Sequence, residues 1–175
     1  FNKKHNIFRR KNKEEVYIND VLECAQVLKA MKKNEKKILD LGSGGGFPGM
    51  VLAILKPKTE ITLAEKNQKK AYFLEKTIKK LGLKNCNVKK TNITKNTKLE
   101  PFDAITTRAF SSIKKTIQIT QNLAHKSTTY YFFKGKEAQI QKEVAEIDLK
   151  SYTVKIFNTK KQQKERNIVI VNKNE

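Results

Sequence analysis

The chain has 175 residues, of which 38% are hydrophobic, so it is long enough to bury one core and too short for two. It contains no apolar run of about 18 residues and no basic segment followed by an apolar one. We therefore expect a single domain over residues 1–175 that has no membrane span and no signal peptide and stays in the cytoplasm. Cys24, Cys86, His5 and His125 are isolated in the sequence, which argues against a metal site and favours reduced thiols.

The formal net charge of +21 would repel itself on a compact domain unless the surface faces a polyanion. Residues 66–98 carry eleven lysines and one acid, Glu75, and the first thirteen residues carry six basic residues and no acid. Such clusters indicate a nucleic-acid surface, although lysine is frequent along the whole chain and accounts for part of the charge. Only four of the 38 basic residues are arginine, which suggests that their planar fork is needed at Arg9, Arg10, Arg108 and Arg166.

Short apolar strands alternate with amphipathic helices along the chain, which is typical of a parallel α/β sheet. A basic segment and a helix occupy residues 1–32, with an apolar face that includes Leu22, and the α/β core follows over residues 36–175. Asn67 is placed to cap one helix and Gly82 to end it. The predicted helices cover residues 14–32, a short segment opened by Pro48, and residues 67–81, 112–124 and 137–147. The predicted strands cover residues 37–41, 61–65, 88–91, 102–107, 130–133, 152–157 and 167–171.

The two last predicted strands follow each other without a helix between them, so they must pair antiparallel. The sequence therefore predicts a seven-stranded, mostly parallel sheet whose last strand is antiparallel, with helices on both faces.

A glycine-rich segment, DLGSGGGFPG, runs from Asp40 to Gly49 at the end of the first strand and opens a helix. Gly42 and Gly44 let the backbone fold tightly and let a ligand lie against bare amides. A dinucleotide fingerprint G-x-G-x-x-G needs glycine where this chain has Phe47, which disfavours an NAD-dependent oxidoreductase. The D-x-G-x-G-x-G spacing is instead typical of S-adenosyl-L-methionine (AdoMet) sites in Rossmann-like methyltransferases.

Other candidate residues follow the strands at the same predicted edge. Glu65 ends the second strand, where an acid can accept both ribose hydroxyls of a nucleoside. Ile93 and Thr94 follow the third strand, where the adenine of AdoMet usually lies.

After the fourth strand comes TTRAF, which includes Arg108, and neither an N-P-P-Y type motif nor a cysteine beside proline is present there. This favours a target with an exposed lone pair, such as the N7 of guanine, for which catalysis consists of alignment rather than of acid–base chemistry.

The chain resembles the ribosomal RNA small subunit methyltransferase G (GidB) family. The resemblance depends on FNK with NI at the start, DLGSG with FPG, KK with FL from Lys69, FD with RAF, FKG, and the closing ERNIVI. It implies methyl transfer from AdoMet to the N7 of one guanine in 16S rRNA of the small ribosomal subunit. We also expect the protein to be a monomer. By the same resemblance, AdoMet contacts Gly42, Phe47, Ile93, Thr94 and Arg108, while Lys134 and Arg166 lie near the incoming RNA.

Two alternative functions stay open at this point. A small-molecule methyltransferase would share the cofactor motifs, but such enzymes usually carry an apolar lid insertion, and none is visible here. A non-catalytic RNA-binding protein on the same fold would not need an intact glycine loop and Glu65.

Overall fold

The computed structural model describes Ile7, Arg10, residues 12–159 and residues 165–174. The chain divides into two compact units, Phe1–Asn92 and Ile93–Glu175. Apart from Ile7 and Arg10, the predicted basic segment before residue 12 lies outside the described residues. Among the residues described, no helix is both long and apolar enough to cross a lipid bilayer.

The N-terminal helical segment of the first unit, α1, changes its winding along its length. Asp20 is buried and is bound by Arg10 through two hydrogen bonds of 2.7 and 2.8 Å, and Cys24 and Val27 are buried on the same side. The prediction that Leu22 belongs to the buried apolar face of this helix is wrong, because Leu22 is exposed. A π turn closes its hydrogen bonds one residue farther along than an α turn, so it rotates the face that points inward. The four parts of α1 are an α turn Lys13–Val16, a π turn Tyr17–Val21, an α turn Leu22–Ala25 and a 3₁₀ turn Gln26–Lys29.

The first unit also contains three parallel strands in the order β3-β2-β1 and two further helices. In β1 and β2 every residue after the first is buried, as expected for strands that are covered on both faces. The predicted caps of α3 are confirmed: the Asn67 side chain accepts the Lys70 N–H at 3.1 Å, and Gly82 adopts the left-handed conformation. The elements are β1 (Lys37–Leu41), α2 (Gly49–Leu55), β2 (Glu60–Ala64), α3 (Gln68–Leu81) and β3 (Cys86–Lys89).

The second unit contains four strands in the order β4-β5-β7-β6. The strands β4 and β5 are parallel, whereas β7 is antiparallel to both β5 and β6. The predicted mostly parallel, seven-stranded sheet with an antiparallel last strand is thereby confirmed. The elements are β4 (Phe102–Arg108), α4 (Ile113–Thr120) with a 3₁₀ turn Gln121–Leu123, β5 (Ala124–Lys134), α5 (Glu137–Ala145), β6 (Tyr152–Asn158) and β7 (Asn167–Lys173).

Strand β5 begins well before the predicted residues 130–133. Its first half is polar, so the apolar pattern did not reveal it. Two of its polar residues are buried, and each hydroxyl has a hydrogen-bond partner. Thr128 donates to the carbonyl of Phe102 at 2.6 Å, and Thr129 donates to the Asn172 side chain at 2.9 Å. Buried hydroxyls with partners are tolerated in a core, so the strand extends beyond its hydrophobic half.

Candidate cofactor and substrate site

The glycine-rich turn after β1 folds back over the end of β2. The N–H groups of Gly42 and Ser43 both donate to the carbonyl of Ala64, at 2.9 and 3.2 Å. Gly42 and Gly44 have φ angles of 64° and 54°, which residues with a side chain rarely adopt. A Cβ added to Gly44 would have Gly42 O as its nearest protein atom, 3.7 Å away. The protein therefore leaves the space beside the Cα of Gly44 open.

Glu65 holds this turn in place. Its carboxylate is buried, with 6% of the residue exposed, and it accepts the N–H of Gly44 at 3.0 Å and the N–H of Asn67 at 2.8 Å. Each carboxylate oxygen offers two acceptor positions, so the group can still accept further hydrogen bonds. The spacing in the sequence predicts where Glu65 lies but gives no sign of its bond to Gly44, which joins residues 21 positions apart.

Asp40, the first residue of the glycine motif, has a structural role in this unit. It is fully buried and accepts the N–H of Gly49 at 3.1 Å, while the Ser43 hydroxyl donates to its backbone carbonyl at 2.9 Å. A Cβ added to Gly49 would lie 2.6 Å from the Asp40 carboxylate, so this glycine permits close packing rather than ligand access.

Burial, with the charge of Asp40 as a smaller cause, raises the pKa of Cys86 to about 12.

Phe47 completes the turn. It is half-buried and is joined by a cis peptide bond to Pro48, the residue that precedes α2. Gly42, Gly44, Phe47 and Glu65 are therefore brought together in the first unit around one short loop.

The second unit begins with the predicted adenine contacts, Ile93 and Thr94. Ile93 is buried, whereas Thr94 is exposed. Thr94 takes part in a local turn, because its N–H donates to the Thr97 hydroxyl at 2.9 Å and its own hydroxyl accepts the N–H of Asn96 at 3.3 Å. Its side chain is thus used to shape the turn.

Arg108, Lys134 and Arg166 lie at one edge of the sheet in the second unit. Arg108 ends β4 opposite Phe133, and Lys134 ends β5 opposite Asn167, the first residue of β7. A Cβ on Gly135 would lie 4.0 Å from Nη1 of Arg166, so the guanidinium lies beside the residue that follows Lys134. The expectation that an antiparallel last strand begins at this edge is confirmed.

The ammonium of Lys134 is engaged by the protein itself. It donates to Oε2 of Glu143 and to the carbonyl of Ser111, both at 2.8 Å, and the Lys134 and Glu143 side chains are only 15% and 10% exposed. The same Glu143 oxygen accepts the N–H of Ile113, the first residue of α4, at 2.9 Å. These bonds fix the segment between β4 and α4, which includes Ala109 in the left-handed conformation with φ 54°.

Sequence reasoning missed Glu143. Its distance of nine positions from Lys134 follows neither a strand nor a helix period, so no pattern connects the two residues.

Comparisons with known sequences show which family of proteins this chain resembles. A family model described as "GidB: rRNA small subunit methyltransferase G" matches residues 1–169. The ribosomal RNA small subunit methyltransferase G of Brachyspira hyodysenteriae is 35% identical over 173 residues, which cover 98% of this chain and 83% of that protein.

Among solved structures, a precorrin-6y C5,15-methyltransferase from Geobacter metallireducens has a TM-score of 0.68 at 15% identity, covering 87% of each chain. TrmK of M. capricolum, in complex with the cofactor product S-adenosyl-homocysteine, has a TM-score of 0.65 at 21% identity and covers 87% of this chain and 68% of its own. At these identities the two structures support the fold alone.

Proposed function

The chain belongs to the rRNA small subunit methyltransferase G family, and we propose that it methylates the N7 of a guanine in 16S rRNA. As a member of this family it is an AdoMet-dependent rRNA methyltransferase with a Rossmann-like fold. The observation that carries the proposal is the glycine turn at the end of β1, which is bare at Gly44 and tied to the buried Glu65.

The residues of this turn suit AdoMet by their chemistry. Gly42 and Gly44 have no side chains, so a bulky ligand can lie against the backbone. Glu65 is fixed by two backbone N–H groups and keeps acceptor positions for ribose hydroxyls. Phe47 offers a partly accessible ring beside them. We assign cofactor binding in the first unit to these four residues.

In the second unit we assign cofactor contacts to Ile93, Thr94 and Arg108. Ile93 offers an apolar side chain suited to the adenine ring. Because the hydroxyl of Thr94 already accepts a backbone N–H, its proposed contribution comes from the shape of the turn that it forms.

The proposed reaction needs alignment more than proton transfer. When bound, AdoMet supplies a methyl group on a cationic sulfonium, and the N7 of guanine has an exposed lone pair. The protein must then hold the guanine at attack distance and in line, which alone lowers the barrier substantially. No residue has to remove a proton before the attack.

We propose that Arg108, Lys134 and Arg166 position the RNA. Arg166 lies at the sheet edge with a planar fork that suits a phosphate or the guanine O6. Lys134 uses two of its three N–H donors within the protein, on Glu143 and Ser111. It therefore acts mainly by fixing the segment that follows Arg108, and it keeps one donor for the RNA. We further propose that the protein acts as a monomer in the cytoplasm, where small ribosomal subunits are assembled.

The proposal is tested by transfer of a labelled methyl group from AdoMet to small subunits and to naked 16S rRNA that lack the modification. We expect label at the N7 of one guanine, and the two substrates show which form is recognised. RNA binding without transfer would instead support a non-catalytic RNA-binding protein. Transfer to neither RNA, with normal AdoMet binding, would favour a small-molecule methyltransferase.

A further inference from the structure

We propose that the outer face of α3 is an RNA-docking surface in which Tyr72 stacks on an unpaired base and the neighbouring lysines hold phosphates. This inference rests on the proposed function, since it assumes an RNA substrate. We call this surface the α3 ridge and define it as Lys69, Tyr72, Lys76 and Lys80.

The ridge follows from the helical period of α3. Its members are three, four and four positions apart, so they lie on one side of the helix, and all four are exposed. Ala71 and Leu74 are fully buried on the opposite side. With a rise of about 1.5 Å per residue, the ridge is about 16 Å long, over which a nucleic-acid strand presents several phosphates.

The charge of this region favours a polyanion as its partner. Glu75 is the single acid between residues 66 and 98, and its carboxylate already pairs with Lys90 at 3.0 Å, outside the ridge. The three lysines of the ridge therefore present their charge outward without an acid among them. A protein partner would need a matching acidic face, whereas the RNA substrate provides one along its backbone.

Tyr72 distinguishes the ridge from an ordinary solvated helix face. Its side chain is 49% exposed although it is large and aromatic, and Nζ of Lys76 lies 5.4 Å from the centroid of its ring. The cation lies near one side of the ring, and about half of the residue is exposed beside the lysines of the ridge. Aromatic rings between cations are how proteins bind unpaired nucleotides, because every base has a face that can stack.

The experiment separates stacking from charge by their response to salt. Binding of a fluorescent single-stranded RNA of mixed sequence is measured by anisotropy over a series of KCl concentrations, with a duplex of the same length in parallel. Tyr72→Ala should weaken single-strand binding about five- to a hundredfold without changing the salt slope, and Tyr72→Phe should retain the affinity. Lys69→Ala and Lys80→Ala should each reduce the slope of log K against log salt by about 0.7.

Lys58→Ala is the matched control, because Lys58 is also an exposed lysine of the first unit but lies outside α3. The proposal is overturned if Lys58→Ala has the same effect as the ridge variants, if Tyr72→Ala binds like wild type, or if vesicles of anionic lipid compete with the RNA as well as unlabelled RNA does. Methyl transfer by the wild-type protein separates this inference from the proposed function. Normal transfer with unaffected ridge variants removes only the ridge, whereas ridge-dependent RNA binding without transfer removes the proposed methylation.

Discussion

The buried pair Lys134–Glu143 allows a quantitative prediction. In Glu143→Ala the ammonium of Lys134 keeps only the carbonyl of Ser111, and the N–H of Ile113 loses its acceptor. Removing one partner of a buried ion pair costs about 3–5 kcal/mol, and because both side chains keep some solvent contact we expect about 3 kcal/mol of lost stability. Glu143→Gln keeps one acceptor oxygen, so about 1–2 kcal/mol is expected.

Urea unfolding followed by circular dichroism measures these losses. Glu146→Ala is the control, since Glu146 is exposed immediately after α5 and should stay within about 0.5 kcal/mol of wild type. In Lys134→Met with Glu143→Leu neither charge of this pair remains, and much of the lost stability should return. A Glu143→Ala variant as stable as the Glu146→Ala control would refute the role of the pair in fixing the segment before α4.

Further predictions concern the cofactor, a thiol and the substrate. Gly44→Val should abolish AdoMet binding in calorimetry, because the new side chain takes the space proposed for the ligand. The fold should survive, because the added Cβ meets no protein atom closer than 3.7 Å and the φ of 54° costs about 1–2 kcal/mol. Normal AdoMet binding would show that the cofactor lies elsewhere. Cys86 should react with iodoacetamide at pH 8 far more slowly in the native than in the unfolded protein, since a pKa of about 12 leaves about one thiol in ten thousand ionised; equal rates would contradict its burial. Arg166→Ala should lower single-turnover methylation at saturating AdoMet about thirty- to a hundredfold with unchanged AdoMet affinity, and wild-type rates would remove Arg166 from the site. Lys134→Ala should lower methylation and also stability, and a loss of neither would leave it a surface charge.

Several parts of the fold are encoded in short stretches of sequence. β1 has the predicted bounds, and α3 begins after Asn67 and ends before Gly82 as expected. These signals are local, because a cap or a left-handed glycine acts within one turn of its own helix. The glycine turn is local in the same sense, since its positive φ angles depend on the absence of a side chain at Gly42 and Gly44.

Other parts depend on contacts between residues that are distant in sequence. The bonds from Glu65 to Gly44 and from Lys134 to Glu143 connect positions on different elements, and the pair of Arg10 with Asp20 accompanies a π turn that no period predicts.

The sequence by itself thus determined the order of the elements, the direction of β7 and the type of cofactor loop, because each depends on local spacing or on the lengths of connections. Only the tertiary structure decided that the Lys134 ammonium forms hydrogen bonds within the protein and that Glu65 holds the glycine-rich turn in place. An acceptor's position in space is set by how the elements pack together, and that packing determines whether a charged side chain finds its partner in the protein or outside it.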